Sequence, residues 1–380
     1  MPPRMSGRRG TKKLCVAITG HGFGHATRTA EVVRELHSLC AELEITISST
    51  VPRRFIEQAI GGPILYRPQS YEPGTIQKNC FEVDIAGTRA AYLQHLEERP
   101  ERIRAEVDFL RREAFSGLLA DIPAIAIAAA HAAGIPAVGL WNFTWDWILE
   151  PILAATDGAD SRVADVPKLI REDYSLADLH LRLPFSPPKS PYARVEPVPL
   201  VGRKSSASRE ATLGRIGLDP SDSRPIVLVA MSGWDCTSWS PIQIQGCEGF
   251  RWVVAGDVPL ISRAPICRIP AIQGPGYTFF DLVRSADAVL SKPGYGIASE
   301  CVVNRTPLLG VERRDFKESH ELVRGLRDFG PFVEISLCDF HAGNWQPSLE
   351  ALLGTPRAWK PIEENGARLV AERLRAFFDF

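Results

Sequence analysis

Leu14-Cys-Val-Ala-Ile-Thr-Gly-His-Gly-Phe-Gly-His-Ala-Thr-Arg28 decides how this chain is read. Leu14–Thr19 is a short apolar run that stops at glycine, which predicts a buried parallel strand. Thr27–Cys40 carries Ala30, Val33, Leu36 and Cys40 at helical spacing, so a helix follows. Between them, Gly20, Gly22 and Gly24 let the backbone turn tightly and come close to a ligand. The helix N-terminus offers free N–H groups and partial positive charge, which suit an anion. His21 and His25 stand at the carboxyl end of the strand, where an imidazole titrating near neutrality can take a proton from a hydroxyl. The spacing is G-x-G-x-G, not the G-x-G-x-x-G of a dinucleotide site. The second strand, Glu44–Ser48, runs into Ser49-Thr50 with no carboxylate. NAD binding is therefore not expected, while a purely structural glycine turn stays open.

Outward from this loop, strands alternate with helices. The segment Arg99–Glu113 is an amphipathic surface helix, Ala124–Ala133 a buried helix and Ala137–Leu140 a strand. Pro184 to Pro199 holds six prolines, which excludes a regular helix or central strand and marks a linker. The pattern then restarts. Strands are predicted at Ile226–Ala230, Arg251–Ala255, Ala288–Leu290 and Pro307–Val311. Helices are predicted at Tyr277–Ser285, Ile297–Val303, His320–Asp328 and Pro361–Phe380. Two similar halves of this kind predict an α/β protein with two facing Rossmann-like domains. A ligand would lie in the cleft at the strand carboxyl ends.

Ser291-Lys-Pro-Gly-Tyr-Gly-Ile-Ala-Ser-Glu300 takes the place of the first glycine loop in the second half. Gly294 and Gly296 allow close approach, and backbone amides with Ser291, Lys292 and Tyr295 can surround a phosphate. Ser299 and Glu300 lie about one turn into the helix, where a carboxylate can take ribose hydroxyls, although an ordinary first-turn acid reads the same way. Gly233, in the loop after Ile226–Ala230, is a weaker diphosphate candidate. The tryptophans Trp141, Trp145 and Trp147 flank Asp146. Their faces can stack on a planar or sugar group and the carboxylate can orient a hydroxyl, unless two of them are core. Asp121, after an apolar run, is a further candidate for the cleft.

The 380 residues suit two domains. Their 44 basic and 45 acidic residues give no electrostatic case for duplex nucleic acid. The eight cysteines form no C-x-x-C pair and read as free thiols in a reducing compartment. Residues 1–13 read as a flexible basic tail, without the apolar core of a signal peptide. The longest apolar stretch, Ile122–Ala133, is too short to span a bilayer, so a cytoplasmic protein is expected. No D-x-D occurs, the nearest pattern being Glu82-Val83-Asp84, so neither a metal nor another cofactor is expected.

Together these stretches resemble the GT-B glycosyltransferases. Within that class they resemble the glycosyltransferase-like N-terminal region of plant L-arabinokinases and its bacterial stand-alone relatives. The matching residues are Thr19–Arg28, Trp141–Trp147, Arg171–Tyr174, Arg182–Pro184, Ser291–Gly296 with Ser299-Glu300, and Arg313–Asp315. More distantly, the layout is similar to the lipid II-forming N-acetylglucosaminyltransferase. The resemblance implies an acceptor domain over residues 14–183, a linker over 184–200, a donor domain over 201–358, and a last helix, 359–380, crossing back to the first domain. It places His25 near the acceptor, Glu300 on the ribose, and His320 and Glu321 on the donor sugar. The lipid II enzyme has two glutamines at that last pair, so N-acetylglucosamine is not implied. Arabinokinases also carry a sugar-kinase domain, and no kinase activity is expected here.

The expected function is transfer of a sugar from a nucleoside diphosphate sugar, UDP-linked, to an unidentified hydroxyl acceptor, without metal and with inversion. His25, His21 and Asp146 are the candidate catalytic residues. Gly22, Gly24 and Gly233 join the Ser291–Glu300 loop around the donor nucleotide, and Trp141, Asn142 and Trp145 would meet the acceptor. A non-catalytic nucleotide-sugar-binding module and a nucleotide-sugar 2-epimerase are the alternatives.

Overall fold

The computed structural model describes residues 12–154, 160–231, 240–270, 273–274 and 276–380. Two parallel sheets carry the chain. The first joins β1 (Lys13–Ile18), β2 (Glu44–Ser49), β3 (Leu65–Pro68), β4 (Gly117–Asp121), β5 (Ala137–Trp141), β6 (Leu179–Arg182) and β7 (Val195–Pro197) in the order β3-β2-β1-β4-β5-β6-β7. The second joins β8 (Ile226–Ala230), β9 (Arg251–Ala255), β10 (Ile266–Ile269), β11 (Ala288–Ser291), β12 (Leu308–Val311) and β13 (Phe332–Ile335) in the order β10-β9-β8-β11-β12-β13. Helices cover both faces, so the central strands are near-continuous apolar runs; Leu14 through Ala17 are all at 0% exposure.

In each sheet the strand order reverses beside the first strand, between β1 and β4 and between β8 and β11. Such switch points open a crevice at the strand carboxyl ends. The two glycine loops stand there. One follows β1 into helix α1 (Phe23–Leu39), and the other follows β11 into helix α3 (Tyr295–Asn304). Helix α1 starts four residues earlier than its apolar spacing predicts, so the second half of the glycine loop is already helical. Gly22 is its N-cap at φ +92°, a conformation that favours glycine.

The proline-rich stretch departs from expectation. Val195–Pro197 pairs with β6 as the outermost strand, so the expected linker contributes an edge to the first sheet. Proline is tolerated there because an edge strand has no further ladder to donate to. Strands β3, β4, β6, β10 and β13 are only four or five residues each, too short for their pattern to mark them in sequence.

The halves share one apolar core. Ala26, Ala30 and Val33 of α1 join Ala298 and Cys301 of α3 and Val370, Leu374 and Phe378 of the last helix, α5 (Gly366–Phe378). Arg373 of α5 donates to Glu196 of β7 at 2.6 and 2.7 Å, and Arg368 donates to Glu35 of α1 at 3.3 Å. This helix therefore ties the chain's end to the first sheet. No helix among the described residues is long and apolar enough to cross a membrane.

Candidate functional site

Burial of Asp121 builds the site. It ends β4, opposite Ile18 of β1, and is completely enclosed. A lone buried carboxylate would be costly, so it is surrounded by donors. Arg28 of α1 donates Nε to Oδ2 at 2.8 Å and Nη2 to Oδ1 at 2.5 Å. Thr29 donates its hydroxyl to Oδ2 at 2.5 Å. His25 lies 2.9 Å from Oδ1 through Nδ1. A carboxylate only accepts, so Nδ1 carries a proton, which in the neutral ring puts the lone pair on Nε2. Burial alone would raise the Asp121 pKa; the Arg28 charge, helped by His25, holds it down at about 2.

Arg28 also reaches the second half. Its guanidinium lies 4.6 Å from the ring centre of Tyr295, the first residue of α3, and Nη1 donates to Asn142 Oδ1 at 2.5 Å. Asn142 in turn donates to Glu318 at 2.7 Å. Glu318 lies on helix α4 (Lys317–Phe329) of the second half. The two glycine loops abut as well: a Cβ on Gly24 would sit 3.2 Å from the Gly296 nitrogen, so a side chain there would press the two backbones apart by a few tenths of an ångström.

Beside this contact a cavity of about 420 Å³ opens between the halves. His21, Gly22, Gly24 and His25 line it from the first half; Ser291, Lys292, Gly294, Tyr295, Gly296 and Glu300 line it from the second. These candidates are brought together on one wall set. Ser291 is anchored by its hydroxyl to the Ala230 carbonyl at 2.5 Å. Glu300 is 3% exposed and accepts Arg203 Nε at 2.7 Å; burial raises its pKa and Arg203 opposes that. His21 is held well below the usual imidazole range by burial and then by the Arg313 charge, so it is neutral. Lys292 and Arg313 bring positive charge to a wall that also carries Glu31 and Glu318, while Arg203 is paired with Glu300; the two cations can meet a diphosphate.

Other candidates lie elsewhere. Asp146 is buried, takes Arg171 at 2.9 Å and the Tyr192 hydroxyl at 2.8 Å, and lines neither this cavity nor the smaller one described below. The acceptor residues Trp141 and Trp145 are 2% and 0% exposed. Trp141 donates to His180 at 3.1 Å, and Trp145 packs edge-on against His21. The tryptophans are core, and Asn142 is a bridge between Arg28 and Glu318. Ser299 caps locally, its hydroxyl donating to the Gly296 carbonyl at 2.9 Å. His320 is exposed and Glu321 is ion-paired with Arg324; neither lines the cavity. Helix α4 buries Glu318, Ser319, Leu322 and Leu326, so its inward face brings Glu318 to the wall and turns His320 to solvent. Gly233 lies outside the described residues.

The sequence reading gave no role to Arg203, Phe279, Phe280 and Glu318, all on the wall, or to Arg28 behind it. Arg28 and Arg313 stand within the matching stretches Thr19–Arg28 and Arg313–Asp315, and Glu318 lies two residues before His320. Arg203 and the phenylalanines carry no local signal, because only tertiary packing brings them to the cavity; there Arg203 lies 4.9 Å from the Phe280 ring centre.

Two doubly wound parallel sheets, meeting at their carboxyl ends around one cavity, with a last helix returning to the first sheet, define the GT-B fold of glycosyltransferases. The chain is 30% identical over 364 residues to the L-arabinokinase of Arabidopsis thaliana, covering 94% of this chain and 34% of that protein. It thus spans about a third of the relative's length. No protein-family profile matches. Among solved structures, the glycosyltransferase of kitacinnamycin superposes with a TM-score of 0.62 at 14% identity, over 97% of this chain and 99% of that one. Phytolacca americana UGT2, solved with UDP-2-fluoroglucose and pterostilbene, gives 0.59 at 14% identity, over 96% and 94%.

Proposed function

We propose that the chain is a glycosyltransferase moving a sugar from a UDP-linked donor to a hydroxyl acceptor. The observation that carries this is the meeting of the His25–Asp121 pair with the glycine-lined, Lys292-bearing loop of the second half around one cavity. The fold likeness to nucleotide-sugar glycosyltransferases supports it.

In this reading Asp121 holds the His25 ring with Nδ1 protonated, and Nε2 takes the proton of the acceptor hydroxyl. The acceptor oxygen attacks the anomeric carbon as the bond from that carbon to the diphosphate oxygen breaks, so the sugar inverts and UDP leaves. Lys292, Arg313 and the amides opening α3 take up the charge that builds on the diphosphate. Glu300, oriented by Arg203, receives the ribose hydroxyls, and the Phe279 and Phe280 rings offer faces to the base. No divalent cation is called on. His21 is the second candidate for contact with the reacting hydroxyl.

A binding-only module is the second reading. Arg28 already balances the Asp121 charge, which leaves less of it to stabilise an imidazolium. Isothermal titration of UDP into wild type and Glu300→Ala, beside a UDP-release assay, tests both. The transferase reading expects UDP binding that weakens at least tenfold in Glu300→Ala, with UDP release from a UDP-sugar by the wild type. Binding without release supports the module. Unaltered binding in Glu300→Ala overturns the ribose assignment.

A further inference from the structure

A second cavity, of about 380 Å³, opens in the first half at the carboxyl ends of β1 and β2. It shares His21 and Gln77 with the donor cavity, so the two adjoin through that wall. The Thr75 hydroxyl lies 3.3 Å from His21 Nε2, and the Gln77 side-chain oxygen accepts from His21 Nε2 at 3.1 Å and from Arg313 at 2.8 Å, where the two cavities meet.

The chemistry of the second cavity differs from the first. No lysine or arginine lines it among the described residues. Arg67 and Arg102, near this part of the chain, are paired with Glu106 and Glu98. The shared His21 is neutral. Arg102 also donates to the Ser70 carbonyl at 3.2 Å and Arg313 to the Gln77 oxygen at 2.8 Å, so the nearby guanidiniums are engaged by protein groups and the wall itself presents no cation to a phosphate or carboxylate among the described residues. Glu72 is its one acid. Glu72 Oε1 accepts the Ile125 N–H at 2.6 Å, at the start of helix α2 (Ala124–Ala133), and Oε2 is buried without a partner. Burial raises its pKa to about 7, so it is not a strong cation site near neutrality. Hydroxyls dominate the rest: Thr19, Thr50, Ser70 and Thr75. The Thr50 and Ser70 hydroxyls have no protein partner among the described residues and face an exposed rim. Of the tryptophans expected to stack a flat acceptor, Trp141 and Trp145 are buried, and neither they nor Trp147 lines this cavity.

We infer that this cavity receives the acceptor and that the acceptor is a small, uncharged polyhydroxyl compound of the monosaccharide class, set by the hydroxyl-bearing, cation-free wall beside His21. This rests on the transferase reading, which supplies the neighbouring donor. A neutral polyol matches the wall because each ligand hydroxyl both donates and accepts, as the threonine and serine hydroxyls do. A flat phenol would leave those hydroxyls unpaired, at a cost in affinity.

The test is saturation-transfer difference NMR on the wild-type chain, with and without UDP. The probes are arabinose, xylose and galactose, with galactose 1-phosphate, glucosamine and 4-methylumbelliferone as the charged and flat contrasts. The neutral sugars are expected to show transfer and the contrasts at least tenfold less. Ser70→Trp and Thr50→Trp, both on the exposed rim, are expected to abolish the sugar signal while leaving the melting curve unchanged. Preference for the phenol, the phosphate or the amine overturns the inference, as does sugar binding that survives both rim substitutions or the absence of any sugar signal. Failure of the wild type to bind UDP counts against the transferase reading instead, and leaves a positive sugar result standing.

Discussion

Removing Arg28 should expose how the centre of the site is held. Arg28 and Asp121 are both buried, at 2% and 0% exposure, and share two hydrogen bonds of 2.8 and 2.5 Å. Arg28→Met keeps the length and apolar bulk of the stem but leaves Asp121 with only Thr29 and His25. Stranding a buried charge in this way costs about 3–5 kcal/mol. The pH dependence has a definite sign. The Asp121 carboxyl sits at about 2 in the fold, below its ordinary 3.8. That difference corresponds to about 2 kcal/mol of stabilisation. A depressed acid contributes stability above its unfolded pKa and loses it as pH falls through the folded value. Urea unfolding, followed by circular dichroism, should show the largest loss in Arg28→Met at neutral pH and above, shrinking as pH falls through the variant's burial-raised Asp121 pKa and on toward 2. Adding Asp121→Asn should restore part of the loss, because the stranded charge is gone. An Arg28→Met loss below about 1 kcal/mol at pH 7, or strict additivity of the two substitutions, refutes the reasoning.

Three further outcomes are expected. Glu72→Gln should leave the melting temperature unchanged at pH 4 and raise it at pH 8.5, since a carboxyl raised to about 7 loses its stabilising contribution as pH climbs through that value; a flat profile contradicts this. Leu374→Ala, at a fully buried position of α5, should cost about 2–5 kcal/mol in urea unfolding, and a loss under about 1 would mean the helix is not part of the shared core. Gly24→Ala should crowd the Gly296 backbone from 3.2 Å and cost about 1–3 kcal/mol in the same measurement; a neutral result would show that the two loops can separate freely.

The glycine loops were legible because strand, glycine and helix follow one another within a few residues, a pattern carried by local chemistry. The cavity places Gly22, Gly24, Gly294 and Gly296 together as the two-half reading expects. Asp121 was visible only as an acid after an apolar run; β4 is five residues long, and its pairing with β1 is what makes Asp121 the partner of His25. The tryptophan cluster misled because an aromatic ring serves a core and a binding face equally well, and sequence does not say which side of β5 faces the cleft. His320 and Glu321 failed for a geometric reason. The helix face that buries Leu322 and Leu326 brings Glu318 to the cavity and turns His320 outward. Arg203 follows a proline-rich stretch with no periodicity, so its ion pair with Glu300 is a product of tertiary packing alone.

Turnover by His25→Ala tests the central claim most directly. UDP release from a UDP-sugar in the presence of a neutral monosaccharide is compared between wild type and variant, with UDP affinity measured on both. The account predicts release by the wild type, about 10²–10⁴-fold slower release by His25→Ala, and similar UDP affinity in the two. Equal release by both proteins would contradict it.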